Sequence, residues 1–562
     1  MESPTPSIAS LLKRLSLPTN RLGALSFCSP TLEGIDRFLS DLPVANTPEV
    51  LNRLYRAVPE VAALRADAEH QLAMLLRLQP TIFHHVDQLT ERLIVTDKTA
   101  RQLSLALALL KNLALGYKAV VVELLPDSAE HSPAQHQLLA NALQLALSAL
   151  ARMLTTSWLC YVNPPANLWR EIHALFLIAR ACGVETLTPF SSLSIHNPSL
   201  APRTAYLRIL LVSAADPARL SSRDLKLLLS FLDRHAQHAE LFYQGENTLF
   251  VIDLDKDRGP ILRTRMRTAS PTFIGFDSTR LVTYIDRHLT SSDINLPPRL
   301  LIQVRRYWST EILRREEHRE ERQQVRAVFG LSRLHRLLTQ TANIDDFVSR
   351  NQLLALRAGQ PLLPIEDTLP HRTWQDSREN EPRIDISWLR FSRNNPELPI
   401  TYTPHPKQKP ETTASLLDAT QINISDHGTC IELGAMPDNL SPGELVAIQD
   451  PGSPQWRLGL VRWTRITTSF SRLAGIEFLN LGTLPCAIAL IRDSQRASAF
   501  FPAFLTRSDS GEESLLVPSL PFTEGNQALL IEGQQRYGVR LSRTVEATPQ
   551  VTLFDLDRQQ LP

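Results

Sequence analysis

Cysteine is scarce in this chain and never paired by spacing. Five cysteines, at 28, 160, 182, 430 and 486, are scattered over 562 residues with no C-x-x-C among them. That pattern argues against a disulfide framework and a thiolate zinc site, and it fits a reducing cytoplasm. Net charge is nearly absent as well, because 59 Lys and Arg meet 58 Asp and Glu to leave +1. A balance of this kind argues against a protein that coats DNA and requires any anion site to be local. The N-terminus MESPTPSIASLLKRLSLPTN lacks a long apolar core behind a basic start, so it does not read as a secretory leader. No apolar run reaches the roughly 18 uninterrupted residues of a membrane span. The most apolar stretches, 102–125 and 136–154, are broken by Lys111, Lys118, Asn141 and Gln144 and read as buried helices.

Signatures of catalysis are missing too. There is no P-loop, no G-x-S-x-G elbow and no paired metal-ligand cluster. Asp253-x-Asp255-x-Asp257-Arg-Gly259 has the acidic alternation of a calcium loop, yet its glycine falls one place late and Thr264 stands where a bidentate Glu is required. His84-His85 has no i+4 partner and reads as a surface or satisfied pair. The chain is therefore expected to be no enzyme and to hold no metal or resident cofactor.

What is present divides the chain into several domains, as its length requires. From about residue 31 to 240 apolar residues recur at three- and four-residue steps, as in Leu103, Leu107, Leu110 and Ala114, which predicts an all-α domain over 1–240 of eight to ten helices without a repeat period. Residues 241–320 read as a small α/β connector, with a strand at Thr248–Asp253 and a helix starting at Ser278. A long helix is expected from Pro297 into the run Arg314–Arg322, whose opposite charges can pair at i,i+4. The segment 321–495 reads as a small antiparallel barrel. Its first strand is Ala327–Leu331, whose continuation to Leu338 suits a strand without excluding a helix, and a loose insertion interrupts it at 341–413. The later strands are Thr420–Ile424, Thr429–Leu433, Leu445–Gln449, Trp456–Ile466 and Leu473–Phe478. A second small β subdomain fills 496–562. The fold class is thus α+β multidomain.

Two short patterns carry chemistry. Arg322-Gln-Gln-Val-Arg326 precedes the first barrel strand, and Asn423-Ile-Ser425-Asp-His-Gly428 is an N-x-S-x-x-G turn between two later strands. From the residues alone the first also reads as a solvated charged helix end, since Arg315-x-x-x-Arg319 repeats the spacing, and the second as a tight hairpin. In this order, with Leu460-Val-Arg-Trp463 and Gly475-Ile-Glu-Phe478 following, they resemble the two halves of a PilZ domain, the bacterial receptor module for cyclic di-GMP. The phrase Phe38–Asn46 is also similar to the start of long, helix-rich PilZ proteins. About a hundred residues separate the two motifs, more than the family usually has, so the insertion must loop out of the barrel.

The resemblance implies a ligand, cyclic di-GMP, whose phosphates, guanine O6 and N7 acceptors and stacking faces suit arginine better than lysine. It assigns Arg322 and Arg326 to a segment closing over the ligand, Asn423 to a guanine edge, Ser425 to a ligand hydrogen bond and Gly428 to a turn with positive φ. Asn423 stands where Asp is commoner. Arg462 and Trp463 are further candidates, Trp463 reading as packing before stacking. No GGDEF, EAL or HD-type signature is present, so the chain is not expected to make or degrade the nucleotide. The implied function is a cytoplasmic cyclic di-GMP effector that acts through its helical domain on a protein partner in surface attachment, pili or motility. Recruitment to the cell pole or to membrane-associated machinery goes with that role. Neither a DNA partner nor a membrane span is expected. The alternative is an interaction scaffold whose PilZ barrel does not bind nucleotide.

Overall fold

The computed structural model describes residues 7–559 apart from 92, 94, 98, 126–131, 189–199, 244–247, 267–271, 289–293, 310–318, 358–415, 435–439, 480–481, 494–495 and 508–511. It divides into two compact units, Met1–Glu317 with Trp463–Ala474, and His318–Arg462 with Gly475–Pro562.

The first unit begins with helices α1 (Ile8–Leu12), α2 (Leu32–Ser40), α3 (Thr47–Ala63), α4 (Ala68–Glu91), α5 (Ala100–Leu124), α6 (Pro133–Leu159), α7 (Leu168–Ala181), α8 (Pro202–Ala214) and α9 (Ser222–His235). Local chemistry starts several of them: the side chains of Thr31, Asn46, Ser132 and Ser221 accept from backbone N–H groups in the first turns of α2, α3, α6 and α9. Prolines occupy the first turn of α3, α6 and α8, where a missing N–H costs nothing. By length and composition α5 and α6 could each cross a membrane, but both lie mostly buried in this unit. Lys118 of α5 is satisfied there by the carboxylate of Glu171 on α7, whose other oxygen accepts from Ser16 Oγ at 2.7 Å.

Strands β1 (Glu240–Phe242), β2 (Phe250–Asp253), β3 (Ile261–Leu262) and β4 (Phe273–Asp277) form a sheet in the order β1-β4-β2-β3, followed by α10 (Thr279–Arg287) and α11 (Pro298–Ser309). Phe250, Ile252 and Phe276, with Leu281 and Ile285 of α10 and Val304 and Trp308 of α11, join the same core as the helices. The stretch expected as a separate connector at 241–320 is therefore part of one hydrophobic core up to the end of α11.

The second unit opens with β5 (Arg319–Phe329), then α12 (Leu331–Thr339), α13 (Ile344–Arg357), β6 (Leu417–Ser425), β7 (Gly428–Leu433), β8 (Leu445–Gln449), β9 (Arg457–Ile466) and β10 (Arg472–Phe478). Its strands close into a barrel in the order β10-β7-β6-β5-β8-β9. Gly330, at φ +92, turns β5 into α12. Strands β11 (Gly482–Asp493), β12 (Arg496–Ala497), β13 (Phe501–Arg507), β14 (Glu513–Pro518), β15 (Gln527–Glu532), β16 (Gln535–Ala547) and β17 (Val551–Gln559) follow. They run β12-β11-β13-β14-β17-β16-β15, and pairing of β11 with β15 closes six of them into a second barrel. Leu445 and Ala447 of β8, Leu458 and Leu460 of β9, and Leu331 and Leu334 of α12 share a core with Phe504, Leu516, Val551 and Leu553 of this second barrel.

Four expectations are corrected. Arg319–Phe329 is a strand, not the end of a long helix; α11 stops at Ser309, and 310–318 lie outside the described residues. Pairing along both edges of β5 outweighs the i,i+4 charge pattern that favours a helix there. The strand also begins before Arg322 and stops at Phe329, with α12 after it. The segment 341–413 opens with a helix, α13, because Ile344, Phe347 and Val348 bury one face against Ala487, Leu529 and Ile531; 358–413 lie outside the described residues. Finally, β11 belongs to the second barrel, so the barrel boundary falls before Gly482 and not at 495.

Candidate functional site

The register of β5 decides what the arginine motif can do. On a helix Arg322 and Arg326 would sit about 6 Å apart on neighbouring turns. On a strand they lie about 13 Å apart along one face. Val325 and Ala327 point into the barrel and are buried, while Arg322, Gln324 and Arg326 are exposed on the outer face. Arg326 stands opposite Asp418 on β6 and Gln449 on β8.

Two β-bulges sit side by side at Arg322. Glu320 faces Asn423 and Gln323 faces Gln421, so Glu321 and Arg322 together oppose the single residue Ile422. On its other edge β6 carries a bulge too, because Gln421 faces Ile431 while Asn423 faces the next residue, Cys430, leaving Ile422 unmatched. An extra residue reverses the alternation of side chains along a strand. Without it Asn423 and Ser425 would share the inward face of Ala419 and Gln421. With it they share the outer face of Arg322 and Arg326.

The structure thus brings Arg322 next to Asn423, with Ser425 about 7 Å further along β6 and Arg326 about 13 Å away in the opposite direction along β5. Neither Arg322 nor Arg326 makes a side-chain hydrogen bond or ion pair with a described residue, while Arg319 pairs with Glu321 at 3.2 Å. Asn423 Oδ1 is buried without a hydrogen-bond partner, and its backbone carbonyl accepts from Thr429 Oγ1 at 2.7 Å. Ser425 Oγ donates to the carbonyl of Gly428 at 3.4 Å across the closing pair of the hairpin.

Gly428 is needed for a different reason from the one expected. Its φ is not positive. A Cβ there would come within 2.4 Å of the carbonyl oxygen of Ile476 on β10, so only glycine permits this approach of the two strands.

Arg462 is committed elsewhere. It donates to Glu477 Oε2 at 2.7 Å and to Glu546 on β16 of the second barrel. Burial opposes its charge, but the carboxylates of Glu546 and Glu477 outweigh that and hold its pKa above the ordinary arginine value. Arg462 lies two strands from β5 and ties the barrels together. Trp463, half-buried, groups with Trp463–Ala474 in the first unit.

Three polar residues around β5 escaped sequence reasoning because only register reveals them. Gln421 is fully buried, and neither its Oε1 nor its Nε2 has a partner. Asp418 and Gln449 flank Arg326, and the buried Gln449 Oε1 is also unpartnered. An unpaired buried polar group costs about 1–3 kcal/mol, so the two glutamines beside the arginine strand call for a reason.

The other sequence candidates are structural. Asp257 accepts from the backbone N–H groups of Asn167 and Trp169 at the start of α7, Asp255 pairs with Arg14 at 2.6 Å, and Asp253 lies 3.7 Å from Arg258. The rings of His84 and His85 meet edge to face, and burial lowers the pKa of His85. Among the described residues no group of three His, Cys, Asp or Glu could hold a metal ion.

A closed six-stranded barrel with an arginine pair and an N-x-S-x-x-G hairpin on one outer face defines a PilZ-type domain. Comparison with protein families extends this along the chain: residues 33–245 match the N-terminal domain of "Cyclic-di-GMP receptor FimW", 249–485 its middle PilZ domain and 486–558 the FimW C-terminal beta-barrel domain. The chain belongs to the FimW-type family of PilZ-domain cyclic di-GMP receptors. The curated protein "Cyclic-di-GMP receptor FimW" of Pseudomonas aeruginosa is 25% identical, in an alignment covering 99% of this chain and 94% of that protein. No solved structure matches.

Proposed function

We propose that this chain binds cyclic di-GMP on the outer face of β5 and β6 and, acting in the cytoplasm, passes the signal through its helical unit to surface-attachment, pilus or motility machinery. The observation that carries the reading is the pair of bulges that puts Asn423 and Ser425 on the face of two arginines lacking partners among the described residues. Each guanidinium can donate two parallel hydrogen bonds to a phosphate or to guanine O6 and N7, and a good bidentate base contact contributes about 1–3 kcal/mol. Asn423 offers a carbonyl acceptor to guanine N–H groups, and Ser425 a hydroxyl. The site offers binding groups without a nucleophile or metal set, which suits a receptor and not an enzyme.

Calorimetric titration of cyclic di-GMP into the full-length protein tests the reading. Micromolar or tighter binding should weaken at least tenfold in Arg322→Ala and in Arg326→Ala. Absence of heat with folded wild-type protein would leave a scaffold that docks partners without nucleotide, and turnover of the nucleotide would restore an enzyme.

A further inference from the structure

On β8 the outward row is Leu445, Ala447 and Gln449, because Val446 and Ile448 pair with Phe329 and Ala327 and alternate with it. Leu445 and Ala447 are buried in the core shared with α12 and the second barrel. Gln449 ends that row and is only 6% exposed, so an amide sits where the apolar seam between the barrels runs out. Its Nε2 donates to the carbonyl of Ser453 at 2.8 Å, which fixes the amide plane and leaves Oε1 as an acceptor without a partner. Directly across the ladder stands Arg326, whose guanidinium finds no described partner, with Asp418 on its other flank. An unused buried acceptor therefore neighbours an unused donor fork.

We propose that Gln449 is a positioning residue for the nucleotide site, its Oε1 accepting from the inner edge of the Arg326 guanidinium when ligand is bound. Arginine carries five N–H donors, and a bidentate contact with a guanine edge uses two of them. The remaining donors need acceptors that fix the plane of the fork, and Gln449 and Asp418 supply one on each side. Gln449 itself touches no ligand. Because its neighbours in the row are core residues, the orientation of Arg326 is tied to the seam between the two barrels. This inference rests on the receptor reading and adds a residue to it.

The test is calorimetry on the full chain with cyclic di-GMP, and with cyclic di-AMP as a probe of base discrimination. Gln449→Leu, which keeps the volume and removes the acceptor, should weaken cyclic di-GMP binding about tenfold, the worth of one charge-assisted hydrogen bond. It should also narrow the preference over cyclic di-AMP. Gln449→Glu, which keeps an acceptor toward Arg326 but loses the donor to the Ser453 carbonyl, should bind more tightly than Gln449→Leu and less tightly than wild type. In an Arg326→Lys background, where the fork is gone, Gln449→Leu should have no further effect. Wild-type affinity in Gln449→Leu, or an undiminished loss in the Arg326→Lys background, would overturn the proposal while leaving the receptor reading intact. Failure of wild-type protein to bind cyclic di-GMP would remove both. Should Gln449→Leu not fold, Gln449→Met carries the same comparison.

Discussion

The two units are specified over different distances along the chain. In the first, the helix caps and apolar periods act within one turn: Asn46 reaches Glu49, Ser132 reaches Gln135, and Leu139, Leu143, Leu147 and Leu150 follow one face of α6. In the second, β5 acquires its identity from partners far downstream, β6 at 417–425 and β8 at 445–449. Local chemistry decides that α6 exists. Only long-range pairing decides that Arg319–Phe329 is a strand. The lesson for function is that every feature on which the proposed nucleotide site rests, including the outer face, the bulges and the flanking residues, comes from the long-range kind.

The largest test of this contrast falls on the first unit. Lys118 is 1% exposed, and burial presses its pKa down while the Glu171 carboxylate draws it back up. Lys118→Ala would leave Glu171 buried without its counter-charge, with only Ser16 as partner, and should cost about 3–5 kcal/mol. Chemical denaturation followed by helical circular dichroism would measure the loss. Replacing both partners by apolar residues of similar volume should recover most of it. A single Lys118→Ala costing under about 1 kcal/mol would mean that the helical core does not depend on this pair.

Acid should act on both units, and by a similar amount. His173 in the first and His335 in the second are buried, and burial lowers each pKa from 6.5 to about 4. The carbonyls of Arg258 and Cys486 can only accept, so Nε2 carries the proton in both rings, and His173 Nδ1 accepts from Tyr206. The folded pKa lies below the unfolded one, so the unfolded chain binds more protons between pH 4 and 6.5 and stability falls as pH drops through that window. By pH 4 this corresponds to a loss of roughly 3 kcal/mol for each histidine. Denaturant midpoints measured from pH 7 to 4 should decline for both units, and replacing His335 by Leu should flatten the decline in the barrel unit alone. A barrel unit whose stability ignores pH over that range would break the parallel.

Legibility follows the same divide. The all-helical character of the first 240 residues, the core role of α5 and α6, and strands β6 to β10 were readable because period, caps and turn residues are local signals. The arginine strand was misread as helix, since REEHREER satisfies the i,i+4 charge rule and nothing nearby in the chain opposes it. The motif residues assigned to the proposed site come from resemblance, and the face they share was not legible, because it depends on an unmatched Ile422 that no composition signals. Gly428 was found for the wrong reason: the carbonyl of Ile476 requires it, not a positive φ. Arg462 looked free to bind because its partner Glu546 belongs to the second barrel.

The smallest expected effect is the cleanest measure of local specification. Ser132 and Gln135 form a reciprocal capping box at the start of α6: Ser132 Oγ accepts from the Gln135 N–H at 3.3 Å, and Gln135 Oε1 accepts from the Ser132 N–H at 2.9 Å. Ser132→Ala removes the hydroxyl acceptor and leaves one first-turn donor to water, which should cost about 1 kcal/mol. Ser132→Gly should cost only a few tenths, because glycine adopts the cap conformation and lets water reach the exposed N–H groups. Denaturant midpoints of the first unit would order the variants as wild type, Gly, Ala. A loss several times larger in Ser132→Ala would mean that α6 depends on its cap to form at all, and the contrast between a locally built helical core and a register-built barrel would then sharpen. Equal stability of all three would mean that burial alone sets where α6 begins, making the start of a core helix as dependent on distant contacts as β5 is.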